Sequence, residues 1–279
     1  SDFRQILEDP SVDAVIVATP DHWHAPSAIL AIKAGKHVYV EKPCSHNVRE
    51  GRLLVEAAHK HNRLVQHGTQ SRSDSLVHHG IDLLRRGVIG EVLVAKAWNV
   101  QHRSPIGREK PSDPPPGVDY DLWVGPAPMV PFQKNRFHYT WHWWHNFGTG
   151  DMGNDGAHEL DIARWGLGVE AHPNMISGLG GKHAYDDDQE FPDTQYVSFE
   201  YPKPGGGSAR QLVWEMRLWS EYGLEGIDNG NAFYGTKGWM LLSKRGVLKI
   251  FDQRNKEIPV PGDRPRLPGH FENFIAAVR

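Results

Sequence analysis

Residues 14–43, AVIVATPDHWHAPSAILAIKAGKHVYVEKP, decide how the rest of the chain is read. Two short apolar runs flank a segment of helical length. Each run ends in polar residues, Thr19-Pro20-Asp21-His22 after the first and Glu41-Lys42-Pro43 after the second. The spacing predicts a buried strand over 12–19 and a helix over 26–34, with Gly35 where helices commonly end. HVYVEKP alternates into a second strand. Residues 47–62 read as a helix with Asn47 and Glu50 spaced as a capping box, and RLVQHGTQ as a third strand. Strand, helix, strand, helix, strand implies two right-handed crossovers and a parallel sheet. In such a sheet the ligand crevice lies outside the carboxyl ends of the strands. The three polar ends, including Thr69-Gln70, therefore open onto one cleft.

Beyond Ser75 the pattern changes. A helix (LVHHGIDLLRRG) and a strand (EVLVAKAWNV) precede SDPPPG, which reads as loop. TQYVSFEYP and RQLVWEMRLW follow, separated by KPGGGSA. Then comes GWMLLSKRGVLKIFD, with a turn at residues 244–246. Adjacent strands joined by turns predict an open, mostly antiparallel sheet. The expected architecture is α/β: a partial Rossmann parallel sheet over 1–72, then an α+β substrate-binding domain over 73–279 without internal repeats.

Composition narrows the function. The chain has 279 residues, a formal net charge of −3 and no apolar run of spanning length, so nothing in it points to a membrane. No Lys/Arg block supplies the concentrated basic surface that nucleic acid requires. The lone Cys44 rules out an internal disulfide framework and a cysteine-based zinc site. It precedes a helix start beside Lys42, yet reads as a bystander thiol. Ten tryptophans and seventeen histidines are many for this length. Several cluster between residues 138 and 158, a composition that suits either a polar aromatic pocket wall or ordinary core packing.

The segment GDMGNDGAHELDIARW carries a second set of candidates. At about 100° per residue, Asn154, His158, Asp161 and Trp165 share one helical stripe, opposite Ala157, Leu160, Ala163 and Leu167. His158 with Asp161 at i+3 reads as a general acid/base beside a carboxylate. Gly148, Gly150 and Gly153 spell Gly-x-Gly-x-x-Gly before this helix. The preceding HYTWHWWHNF, however, is no buried aliphatic strand, so the match reads as a decoy. His138, His142 and His145 are spaced i, i+4, i+7 for a possible helix. Aromatic neighbours and the lack of a nearby acidic ligand favour a hydrogen-bonding or stacking wall over a metal site. Trp141, Trp143 and Trp144 suit sugar stacking or core packing, and Arg72, Arg136 and Arg164 suit substrate orientation or structural pairing.

TPDHWHAPSAILAIKAGKHVYVEKP, together with GDMGNDGAHELDIARW, resembles the Gfo/Idh/MocA oxidoreductase family, in particular its glucose-fructose oxidoreductase and inositol dehydrogenase branches. The resemblance implies an NAD or NADP cofactor and a sugar or polyol substrate. It places Lys42 between nicotinamide and substrate and makes His158 the catalytic histidine. Thr19, Pro20, His22, His24, Glu41 and Gln70 become cofactor contacts, and Asn154, Asp161, Arg164 and Trp143 substrate contacts. Asn154 stands where many members carry Asp, and an amide cannot take a proton. By the same resemblance the 148–153 glycines aim the His158 helix into the cleft, and copies associate through the antiparallel sheet.

The chain opens with Ser1 and ends within HFENFIAAVR. The expectation is a fragment cut at both ends, lacking the glycine fingerprint, with weak NAD affinity and its localisation left open. The expected function is NAD(P)-dependent oxidation or reduction of a secondary hydroxyl. The alternatives are net glycoside hydrolysis or epimerisation by transient oxidation and elimination, a non-catalytic sugar-binding or assembly module, and, third, a metal hydrolase.

Overall fold

The computed structural model describes residues 2–202 and 209–279. The KPGGGSA connection therefore lies, but for its last residue, outside the described residues. After α1 (Arg4–Glu8) the chain runs β1 (Ala14–Val17), α2 (Asp21–Lys33), β2 (His37–Val40), α3 (Val48–His61) and β3 (Val65–His67). The three strands pair in parallel in the order β1-β2-β3, with Val15 opposite Val38 and Val38 opposite Val65. The Asn47 side chain accepts from the Glu50 backbone N–H at 3.0 Å, and Asn62 closes α3 in the left-handed region.

One boundary differs from the sequence reading. The helix expected from residue 26 begins at Asp21. Pro20 sits at its N-cap and Asp21 meets the positive end of the helix dipole, so the start is favourable five residues earlier. Pro26 is accommodated inside the helix. His22 and His24 consequently stand on a helix rather than in a strand-end loop.

The second region holds α4 (Ser75–Arg85), β4 (Val92–Asn99), α5 (Tyr120–Val124), α6 (Gly150–Asn154) and α7 (Gly156–Leu167). Then come β5 (Met175–Gly181), β6 (Thr194–Tyr201), β7 (Arg210–Arg217), β8 (Asn229–Gly235), β9 (Gly238–Ser243), β10 (Val247–Asp252), β11 (Glu257–Ile258) and α8 (His270–Val278). The strands form one sheet in the order β11-β10-β9-β8-β4-β7-β6-β5. All neighbours are antiparallel except β4 and β7. Helix α7 covers one face of the sheet, and Trp214, Phe233, Met216 and Ile162 are fully buried in that core.

The packing face of α7 also differs from the expected one. Gly156, Glu159, Ile162, Ala163 and Leu167 are buried, whereas Ala157 and Leu160 are only partly so. A break at Asp155 separates α6 from α7, and a charged residue, Glu159, faces the core, a placement that apolar periodicity cannot show.

The second region does not keep the last helix to itself. On α8, Phe271 stacks on Tyr39 of β2 at 4.4 Å, and the His270 carbonyl accepts from Gln66 Nε2 of β3 at 2.7 Å. The chain thus leaves the first sheet after β3, enters the second at β4 and returns to the first at its end. No helix among the described residues is long and apolar enough to cross a membrane.

Candidate active site

The carboxyl ends of β1, β2 and β3 meet the N-terminal part of α7, and the candidate residues assemble there. Lys42, just past β2, donates from Nζ to Asn154 Oδ1 at 2.6 Å, which ties the first sheet to α6. Burial pushes the Lys42 ammonium below its ordinary range, and Asp155, Asp21, Glu41 and Asp151 pull it back up. His158 lies one turn beyond Asn154. Its ring is held down to about 4, first by burial and then by the charges of Lys244 and Lys42. It is therefore a neutral imidazole at physiological pH. Its Nδ1 is buried and has no hydrogen-bond partner.

Glu41 is fixed from two sides. Gln70 Nε2 donates to its Oε1 at 2.9 Å and to Tyr39 Oη at 2.9 Å, while the Lys42 backbone N–H reaches Oε2 at 3.2 Å. His24 stands over the Pro43 carbonyl, 2.6 Å from Nδ1, and its Nε2 is buried without a partner. His67, at the end of β3, also has a buried Nε2 without a partner. Burial lowers its pKa. Thr19 and Pro20 line a cleft of about 380 Å³ together with Asp119, Leu122 and Trp123 of the second region. Unsatisfied buried nitrogens are costly when nothing fills the space beside them. His24, His67 and His158 each carry one such nitrogen, and His158 also feels the Lys42 charge, a set that fits a polar ligand such as a nicotinamide cofactor with its substrate.

Gly68 makes room beside Glu41. A Cβ there would stand 2.7 Å from Glu41 Oε2 and 3.0 Å from Glu41 Cα. One of these neighbours is main chain, so the strand itself would have to shift. Gly68→Ala is expected to lower stability by about 1–3 kcal/mol and to weaken nicotinamide binding. Thermal melting and a cofactor titration on the same preparation check both effects.

Other expected site residues are placed elsewhere. Asp161 does not pair with His158. It binds Arg72 through two hydrogen bonds of 2.7 Å, and Arg72 lies over the Trp165 ring at 4.3 Å. A guanidinium matches a carboxylate in two-point geometry, which an imidazole one turn away cannot do. His22 is 2% exposed, with Nδ1 3.3 Å from the Phe147 carbonyl and Nε2 3.1 Å from the Trp123 carbonyl, so both ring nitrogens are occupied by main chain. Trp143 is buried in the main core, without a face for sugar stacking. Arg164 turns its guanidinium to the carbonyls of Glu170 and Ala171, at the far end of α7. Arg136 lies over Trp144 at 4.1 Å.

Residues 140–143 form a 3-10 turn, and His138 and Tyr139 have positive φ, so the three histidines of that segment share no helical face. Among the described residues no cluster of metal-binding side chains forms. Burial pushes the Cys44 thiol up, away from reactivity. Of the three glycines, Gly148 precedes α6 with its carbonyl 2.9 Å from His46 Nε2, Gly150 opens the helix at φ +62° and Gly153 lies within it.

The structure adds a buried ionic layer beneath these groups. Arg103 binds Asp155, reaches Asp151 at 3.3 Å and donates to Tyr139 Oη at 2.8 Å. Lys244 lies 2.8 Å from the fully buried Glu159 and 3.9 Å from Asp155. Asp151, Asp155 and Glu159 recur every four residues beside the recognised stripe, which was the one signal in the sequence for this layer. Arg103 and Lys244 come from distant loops and left none.

This combination of a parallel-sheet crevice, a strand-end lysine and a helix-borne histidine over a large antiparallel sheet defines a two-domain nucleotide-binding oxidoreductase architecture. The chain belongs to the Gfo/Idh/MocA family. The model of its "oxidoreductase family, NAD-binding Rossmann fold" matches residues 1–69, and that of its C-terminal alpha/beta domain matches residues 95–188. Levoglucosan dehydrogenase of Pseudarthrobacter phenanthrenivorans is 28% identical over 181 residues, covering 63% of this chain and 38% of that protein. A glycosyl hydrolase family 109 protein of Shewanella is 34% identical over 98 residues, 34% of this chain and 21% of that protein. The fold is shared with the aldose-aldose oxidoreductase from Caulobacter crescentus, solved with glycerol: TM-score 0.71 at 20% identity, over 99% of this chain and 70% of that one. The aligned stretches thus cover well under half of these two curated relatives.

Proposed function

We propose that the protein is an NAD(P)-dependent dehydrogenase acting on a secondary hydroxyl of a sugar or cyclitol. The observation that carries this reading is the meeting of Lys42, bound to Asn154, with the neutral, partnerless His158 at the ends of the parallel strands. Oxidising an alcohol requires a base for the hydroxyl proton, a cation for the oxygen and an acceptor for the carbon-bound hydrogen. Nicotinamide, when bound, supplies the acceptor. His158 takes the proton on a ring nitrogen. The Lys42 ammonium donates to the same oxygen and stabilises the negative charge that grows on it. Glu41, Gln70, His24, Thr19 and Pro20 hold the cofactor side, and Asn154 sets the lysine.

The test is reduction of NAD and of NADP by the full-length protein with a panel of polyols that includes inositols and levoglucosan. Turnover with either cofactor supports the reading. Sugar binding without turnover would replace it with a non-catalytic module. The family 109 similarity favours a second reading, in which transient oxidation labilises a neighbouring C–H and a glycoside is cleaved with no net redox change. Cleavage of a glycoside with no added cofactor would select it.

We further propose that copies associate through the sheet face opposite α7. Tyr196 and Tyr234 stand about 40% exposed on that face, beside the Lys96–Glu215 ion pair. Light scattering after gel filtration tests this: dimers or larger species support it, and a monomer at high concentration ends it.

A further inference from the structure

We infer that Asp151 is a positioning residue for Lys42: by accepting from the Asn154 amide nitrogen, it turns that amide's oxygen toward the lysine ammonium. An asparagine side chain has one donor end and one acceptor end and can be reversed with little change of shape. Reversal here would aim an NH2 group at an ammonium. The neighbour that decides is Asp151, whose Oδ1 lies 3.2 Å from Asn154 Nδ2, while Lys42 Nζ lies 2.6 Å from Asn154 Oδ1.

Asp151 is 1% exposed, and two further donors hold it: Arg103 Nη2 at 3.3 Å and Asn99 Nδ2. Burial pushes its carboxyl up, but three N–H donors converge on its two oxygens, and a proton on either would face one of them. The carboxylate is the form that suits this geometry. Arg103 is itself anchored by Asp155 and Tyr139. A chain of contacts thus runs Arg103–Asp151–Asn154–Lys42, from the loop after β4 through α6 to the end of β2. The negative charge that balances Lys42 through this chain sits one side chain away, with an amide between. An aspartate at 154 would put two carboxylates about as close as Asn154 and Asp151 now are, and one would hold a proton. The groups facing Lys42 are Asp155, Asp21, Glu41 and Asp151, with His158 and His142 close enough to feel its charge.

The catalytic consequence rests on the dehydrogenase reading, whereas the amide orientation does not. The test uses Asp151→Asn, Asn154→Asp and the double variant in the full-length protein. Two readouts are taken: the pH dependence of Lys42 acetylation by acetic anhydride, followed by mass spectrometry, and kcat against KM. Asp151→Asn is expected to shift the Lys42 curve to lower pH by about one unit. It should cut kcat about 10²-fold with KM little changed. The double variant exchanges amide and carboxylate and is expected to recover both. An unmoved Lys42 curve and kcat in Asp151→Asn, or a double variant no better than either single one, overturns the inference. Should Asp151→Asn fail to fold, the double variant must still outperform Asn154→Asp, and equality overturns it. If the wild type shows no turnover while the Lys42 curve shifts and returns as stated, the dehydrogenase reading falls and the positioning role stands. If turnover is present but the curve is unmoved, the reverse holds.

Discussion

On the proposed dehydrogenase reading, His158→Ala is expected to lower kcat of the full-length protein by about 10³-fold, in the range that a positioned general base contributes, with KM changed far less. The base must be neutral to act, and the imidazole is held down to about 4 by burial and by Lys244 and Lys42. The wild-type kcat/KM in the oxidative direction should therefore stay on its plateau well below the pH at which an exposed histidine protonates. It should fall only as pH approaches 4. The variant should lose this acidic limb together with its rate. A loss of less than tenfold, or a limb that survives the substitution, would show that another group takes the proton. His67, with its buried and partnerless Nε2, would then be the next candidate.

The second large effect is on stability. The rings of His22, His142 and His158 are each lowered to about 4, with burial the leading cause. In the unfolded chain these groups protonate near 6.5. Between the two values the unfolded state binds more protons, so stability is fully present above about pH 6.5 and is lost as pH falls toward 4. His22 is the clearest case, because it is almost wholly enclosed. The carbonyls of Phe147 and Trp123 would welcome a second ring proton, but desolvation outweighs them. Its shift alone corresponds to about 3 kcal/mol across the window. His142 and His158 are only partly buried and contribute less through solvent screening. Melting temperature measured from pH 7 to 4 should fall steeply, and His22→Gln, though less stable at neutral pH, should fall less steeply. Parallel slopes for the two proteins would remove His22 as the cause.

Much of the cleft was legible because it depends on features that repeat or end locally. The strand pattern, the Asn47 cap, the Glu-Lys-Pro strand end and the spacing of Asn154 and His158 are properties of short segments. A three-strand parallel sheet then brings its polar ends together whatever lies beyond. Where local reasoning failed, a distant partner decided. Asp161 was assigned to His158, its neighbour on the helix, and went instead to Arg72 from the loop after β3. His22 reads as part of the first strand end with Thr19 and Pro20, yet it stands on α2, where two carbonyls from the 123–147 segment enclose it. For Trp143 the sequence left sugar stacking and core packing both open, and the tertiary structure decided for the core.

By itself, then, the sequence determined the two-sheet architecture and the order of most of its elements, and its resemblance to the family singled out the lysine and histidine as candidates. Hydrophobic periodicity and turn chemistry act over a few residues and can be read along the chain. Tertiary structure alone decided the ionic layer beneath them, in which Arg103 and Lys244 meet Asp151, Asp155 and Glu159. It also decided the return of α8 to the first sheet. Charges separated by scores of residues are brought within a few ångströms only when the sheets close. There burial strengthens their interaction and raises the cost of leaving any of them unpaired.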